Sequence, residues 1–108
     1  MDFRELIVLG EERYGSRQEL AERLGIHPDN LTNAKRGARG LPDRACVELG
    51  MILGIQNPLA VIAARNAAQA KTEAERRFWE LYVGDSALYV QNGINEQSLN
   101  NAVFYYRR

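Results

Sequence analysis

The sequence predicts an all-α fold of five or six helices, followed by a C-terminal extension that is helical and partly extended. Three observations carry this. Apolar residues recur at helical spacing through most of the chain as far as Tyr82. Two capping boxes, Ser16–Glu19 and Thr72–Glu75, each mark the start of a helix. Proline stands at the opening of three more segments (Pro28, Pro42, Pro58), and glycine closes segments at Gly15, Gly25, Gly54 and Gly84.

Taken in order, Phe3, Leu6, Ile7 and Gly10 line one face of a first helix over 2–13, which Gly15 ends. Ser16 opens the second, with Leu20, Ala21 and Leu24 on one face, and Gly25 stops it. Pro28 is well placed as the first residue of the third helix, because its missing N–H has no partner to lose there. His27 is then the N-cap, and Leu31 and Ala34 face inward until Arg36–Gly37. Residues 37–41 form a glycine-containing loop. Pro42 opens a fourth helix to about Leu53, carrying Ala45, Leu49, Ile52 and Leu53. Asn57–Pro58 signals a fifth, running to about Ala70. Thr72 starts a sixth that carries Ala74, Phe78, Trp79, Leu81 and Tyr82 and ends at Gly84–Asp85. Beyond it, Asn92–Gly93 suits a hairpin turn, while Leu99, Ala102, Val103 and Tyr106 fit either helix or strand; the expectation for 85–108 is short β or extended structure.

A chain of 108 residues fits one domain's worth of core. The hydrophobic fraction of 45% against 26% charged argues against an intrinsically disordered chain. No apolar run is long enough to span a bilayer, and the acidic start does not read as a signal peptide, so a cytoplasmic protein with no membrane association is expected. The single cysteine excludes an internal disulfide and a thiolate cluster, and His27 is the one histidine, so a zinc site is not expected. Cys46 reads as a small core residue. No phosphate-binding glycine loop, paired-carboxylate spacing or nucleophile–base pair is present, so neither an enzyme nor a cofactor is expected, and no small-molecule ligand is evident.

Net charge is zero, which by itself does not favour nucleic acid as a partner. The distribution is more informative. Residues 1–34 carry four bases against seven acids, whereas residues 35–44 hold Lys35, Arg36, Arg39 and Arg44 against Asp43 alone. If DNA is the partner, that short segment should meet phosphates.

Residues 17–36 meet the packing demands of a helix-turn-helix. Ala21 supplies the small residue where two helices cross, Gly25 the sharp turn, and Leu20, Leu24, Ile26, Leu31 and Ala34 the apolar contacts between them. The outer face of the second helix is thereby free to enter a major groove.

The stretches SRQELAERLGI, HPDNLTNAKRG and LPDRACVELGMILGI resemble the phage-repressor and Cro-like helix-turn-helix family, also called the xenobiotic-response-element family. The resemblance covers about residues 1–55, giving a lambda-repressor-like DNA-binding domain at 1–55 and an extension with a dimerisation role at 56–108. The segment NPLAVIAARNAAQAKTEAERRFWELY looks like the extension of small phage and prophage regulators. The resemblance implies a homodimer that binds an operator in double-stranded DNA and regulates transcription, as a phage or prophage repressor. Pro28–Asp29 departs from the family, where many relatives carry glutamine or serine, and this leaves the operator sequence open.

Geometry assigns the remaining expectations. Asp29, Asn30, Thr32, Asn33 and Arg36 project from the outer face or start of the recognition helix as base readers. Asn33 suits adenine, Arg36 guanine or a phosphate, and Asp29 a cytosine amino group. Arg17, Gln18, Lys35, Arg39 and Arg44 are the phosphate candidates. Plainer readings stand beside these. Asp29 also suits the positive end of a helix dipole, and the basic cluster also suits a solvated surface. Phe78, Trp79 and Tyr82 suit either core or, since their helix looks apolar on both faces, a dimer interface. The alternative function is a protein-interaction module of phage origin with weak or no DNA binding.

Overall fold

The structure is a computed structural model and describes residues 2–83. Those residues form six helices and no strand: α1 (Phe3–Tyr14), α2 (Arg17–Leu24), α3 (Pro28–Lys35), α4 (Asp43–Ile52), α5 (Ala60–Gln69) and α6 (Glu73–Glu80). None of them is long and apolar enough to cross a membrane. The expectation of extended structure over 85–108 lies outside the described residues.

Side-chain caps open four of the helices. The Asp2 carboxylate accepts from the Glu5 N–H at 2.8 Å, Ser16 Oγ from Glu19 at 3.1 Å, and Thr72 Oγ1 from Glu75 at 3.1 Å. His27 caps α3 through Nδ1, which accepts from the Asp29 N–H at 3.1 Å. Two starts differ from expectation. Pro42 is itself the boundary residue of α4, extended at ψ 153°, so the helix begins at Asp43. At Asn57–Pro58 the chain first makes a tighter turn, with the Ala60 N–H bonded to the Asn57 carbonyl and the Val61 N–H to that of Pro58, and α5 proper starts at Ala60. At the other end of the structure, α6 stops at Glu80 rather than near Gly84. Its last turn tightens as the Tyr82 and Val83 N–H groups bond three residues back.

The helix ends show why glycine stands where it does. Gly25 has φ 69°, and the Ile26 N–H reaches back to the Ala21 carbonyl at 3.0 Å while the Gly25 N–H bonds that of Glu22 at 3.1 Å. This left-handed closure lets the chain reverse within Gly25–His27 and begin α3.

One core holds α1 to α5 together. Phe3, Leu6 and Ile7 of α1 meet Leu20, Ala21 and Leu24 of α2, Leu31 and Ala34 of α3, Ala45, Cys46, Leu49 and Ile52 of α4, and Ala60, Val61 and Ala64 of α5. Every residue expected on an inward face of α1 to α4 is buried. Helix α1 runs through the centre, touching α2, α3, α4 and α5. Gly10 makes this possible: a Cβ there would lie 2.8 Å from Leu49 Cδ1 and 3.2 Å from Leu20 Cδ2. The buried set includes one charged side chain that the helical pattern places on no apolar face, Glu48. Its carboxylate pairs with Arg23 of α2 at 2.5 Å.

Helix α6 is different. Among the described residues it packs on α5 alone, and it buries none of its own. The reading of its aromatics as core therefore does not hold. Phe78 and Tyr82 are about half exposed, at 49% and 57%, with Trp79 partly covered between them.

Candidate nucleic-acid interface

The candidate interface is built on the short α2–turn–α3 unit. Leu20, Ala21 and Leu24 from one helix and Leu31 and Ala34 from the other are buried, so each helix has committed one face to the core. The spacing that puts Leu31 and Ala34 inward puts Asp29, Asn30, Asn33 and Arg36 on the opposite or flanking sides. Asp29, Asn30 and Arg36 are exposed, and Thr32 and Asn33 are half-buried.

Arg17 is the link between the two helices on this outer side. From the first turn of α2 its Nη1 donates to Thr32 Oγ1 at 2.8 Å and lies 3.8 Å from Asp29 Oδ1. A charge on α2 is thus drawn over the start and middle of α3. Asp29 also lies 3.6 Å from His27 Nδ1, so the exposed acid at the head of α3 sits between two nitrogen-bearing side chains. Gln18, one residue on, is exposed.

The basic segment divides into two kinds of cation. Lys35 turns back onto α1, where its Nζ donates to Glu11 Oε1 at 2.8 Å, with only 22% of the side chain exposed. Arg44 folds over the turn, with Nη2 donating to the Leu24 carbonyl at 3.3 Å, close enough that a Cβ on Gly25 would fall 2.9 Å from it. Arg36 and Arg39 are exposed.

The loop carrying Arg39 is tied to α5, which sequence reasoning assigned to a separate extension. Gln69 Nε2 donates to the Gly37 carbonyl at 3.1 Å. Arg65 Nη1 donates to the Leu41 carbonyl at 2.7 Å and to Asp43 Oδ1 at 2.6 Å. Gly40 leaves room for this arginine, since a Cβ there would lie 2.8 Å from Arg65 Cδ. The one sequence signal for Arg65 was a long cation standing in an otherwise alanine-rich apolar helix; Gln69 had none. Likewise nothing in the local pattern pairs Glu11 with Lys35.

Cys46 is buried beside Arg65, and burial pushes its thiol up to about 11, partly opposed by the Arg65 charge. Burial also raises the Glu48 carboxyl, against the pull of Arg23 and then Arg44. Neither group reaches the outer face of α3. Among the described residues no cluster of three or more His, Cys, Asp or Glu side chains is arranged to hold a metal ion.

Phe78, Trp79 and Tyr82 lie away from this unit, on α6. They form an edge-on cluster, Phe78 to Trp79 at 5.1 Å and 80° and Phe78 to Tyr82 at 5.5 Å and 65°. Leu81 beside them is 79% exposed. Acid–base pairs run along the same helix, Glu73 with Arg76 and Arg77, and Glu80 with Arg76. Compared with family models, curated proteins and solved structures, the chain matches none.

Proposed function

We propose that the protein is a homodimeric, sequence-specific DNA-binding regulator of transcription of the phage or prophage repressor kind, acting in the cytoplasm, with α2, the Gly25 turn and α3 as its helix-turn-helix. The observation that carries this reading is the exposed polar outer face of α3, presented by a helix whose inner face is locked to α2 through Leu31 and Ala34. Asp29, Asn30, Thr32, Asn33 and Arg36 would meet base edges, with Arg17 steadying Thr32 from α2. Arg36 and Arg39 supply the open positive charge, with Gln18 and Arg44 flanking them. Lys35 contributes only if its Glu11 pair opens. The reading includes no catalytic step and no cofactor.

In a dimer, the exposed Phe78 and Tyr82, with the partly covered Trp79, would pair across the subunit boundary. Two copies of α3 would then enter successive major grooves about 34 Å apart. The test is binding of labelled duplexes from the gene's own neighbourhood at increasing salt. A DNA-binding regulator loses affinity steeply, with log K falling by about 0.9 per released phosphate contact for each unit of log salt. Absence of any shift at low salt would sink the proposal. Asn33→Ala with Arg36→Ala tests the recognition face, and unchanged specificity in that variant would remove α3 from the role. Phe78→Asp with Tyr82→Asp should yield monomers in sedimentation.

The second reading, a protein-interaction module, draws on two observations, the solvent-facing aromatic cluster of α6 and the zero net charge. It predicts partner binding that survives high salt.

A further inference from the structure

Residues 37–42 cross from the end of α3 to the start of α4, and α5 grips the crossing at two points. The first is the Gly37 carbonyl, held by Gln69, and the second is the Leu41 carbonyl, held by Arg65. Leu41 is in addition sunk into the core at 2% exposure. At the α3 end the segment is closed by backbone bonds, with the Gly37 N–H on the Ala34 carbonyl and the Ala38 N–H on that of Asn33. Between the two gripped carbonyls lie three exposed residues, Ala38, Arg39 and Gly40, with the Arg65 stem packed against the Cα of Gly40. The backbone under Arg39 is therefore fixed from both sides, while its side chain reaches solvent.

Leu41 and the α3 closure anchor the two ends of the segment in the fold, and the two gripped carbonyls lie on either side of Arg39. We propose that Gln69 and Arg65 are positioning residues for Arg39, holding its guanidinium against a DNA phosphate beside the groove that α3 occupies; this rests on the DNA-binding reading above. A loop bearing a phosphate contact loses part of that contact when its backbone is free to wander, because the ordering must then be supplied on binding.

The test compares the salt dependence of binding to a selected labelled duplex for the wild type, Arg39→Ala, Gln69→Met and the double variant, all in the full chain. Gln69→Met keeps the side-chain length and removes the donor, and far-ultraviolet circular dichroism with thermal melting checks that it folds. Arg39→Ala should lower the salt slope by about 0.9, the loss of one phosphate contact. Gln69→Met should lower it by part of that amount with base preference unchanged, and the double variant should match Arg39→Ala alone. A merely structural role for Gln69 would change thermal stability and leave the slope untouched. A Gln69→Met slope equal to wild type, or a loss that adds in full to that of Arg39→Ala, overturns the inference and leaves DNA binding standing. A wild type that binds no duplex overturns both. Should Gln69→Met fail to fold, Arg65→Met, which keeps the apolar stem but removes the Nη1 donor to the Leu41 carbonyl, is read in the same cycle with the same outcomes.

Discussion

The Arg23–Glu48 pair gives the sharpest test of how this core is held. Glu48 is 1% exposed and Arg23 14%, and their charged atoms approach to 2.5 Å. Within this pair, Arg23 Nη2 and Glu48 Oε1 lack a well-aligned hydrogen bond, although the charges themselves are in contact. A buried pair with incomplete hydrogen bonding contributes little net stability, because the desolvation of both ions offsets their attraction. Removing one partner is another matter, since it strands the other charge. Glu48→Leu leaves Arg23 with an edge in water, so its cost should fall near the low end for a broken buried pair, about 3 kcal/mol. Arg23→Met leaves a carboxylate with almost no access to water and only the weaker pull of Arg44, and should approach the high end, about 5 kcal/mol. Against a total of roughly 5–15 kcal/mol for a domain, either change is severe. The double variant Arg23→Met/Glu48→Leu should return to within about 1 kcal/mol of wild type, or exceed it. Urea unfolding of all four proteins gives the coupling directly. The pH dependence adds a check on sign. Burial raises the folded-state Glu48 carboxyl above its unfolded value, and Arg23 opposes that rise. Without Arg23, the native state holds its proton more strongly than the unfolded chain does. Arg23→Met should therefore come closer to wild type in mild acid and lose stability as pH rises through the folded-state titration. Two small, additive single-variant effects would refute the argument that these charges are buried and mutually dependent.

Three further outcomes are expected. The Cys46 thiol, raised from 9.0 to about 11 by burial, stays protonated in the fold while the unfolded chain ionises, so its contribution is complete below about 9 and is lost as pH rises toward 11. Unfolding near both limits should show wild type losing up to about 2–3 kcal/mol relative to Cys46→Ala, and thiol reagents should modify the native protein only as fast as it opens. Gly25→Ala forces a side chain into φ 69° and against Arg44, and should cost about 1–2 kcal/mol in thermal unfolding, more than Gly37→Ala, where φ is 77° but no atom lies within 4 Å of the new Cβ. His27→Ala should cost about 1 kcal/mol by removing the α3 cap, and His27→Asn should recover most of it, as read by urea titration.

What the sequence made legible was local. Ser16, Thr72 and His27 act within three residues of themselves, and Gly25 acts within five, so their roles follow from short-range geometry. The inward faces of α1 to α4 follow from period alone. The parts that escaped depend on contacts between distant positions. Lys35 reads as an open cation until α1 brings Glu11, 24 residues away, beside it. Gln69 meets Gly37 across 32 residues, and no spacing rule reaches so far. Glu48 escaped for the same reason, since a glutamate in a helix reads as surface unless its buried arginine is known. The aromatics of α6 were ambiguous because composition reports how much apolar surface exists but not whether the chain itself covers it.

The Lys35–Glu11 bond bears on how such a protein would search a genome. If the chain binds DNA as proposed, the pairing of Lys35 at the end of α3 with Glu11 would lower the attraction of one subunit for arbitrary phosphates, in a chain with no surplus charge. On the proposed reading, a single subunit would spend little time parked on unrelated DNA. Occupancy would then rest on correct base contacts made by two subunits together, and would rise steeply once the protein concentration favours pairing.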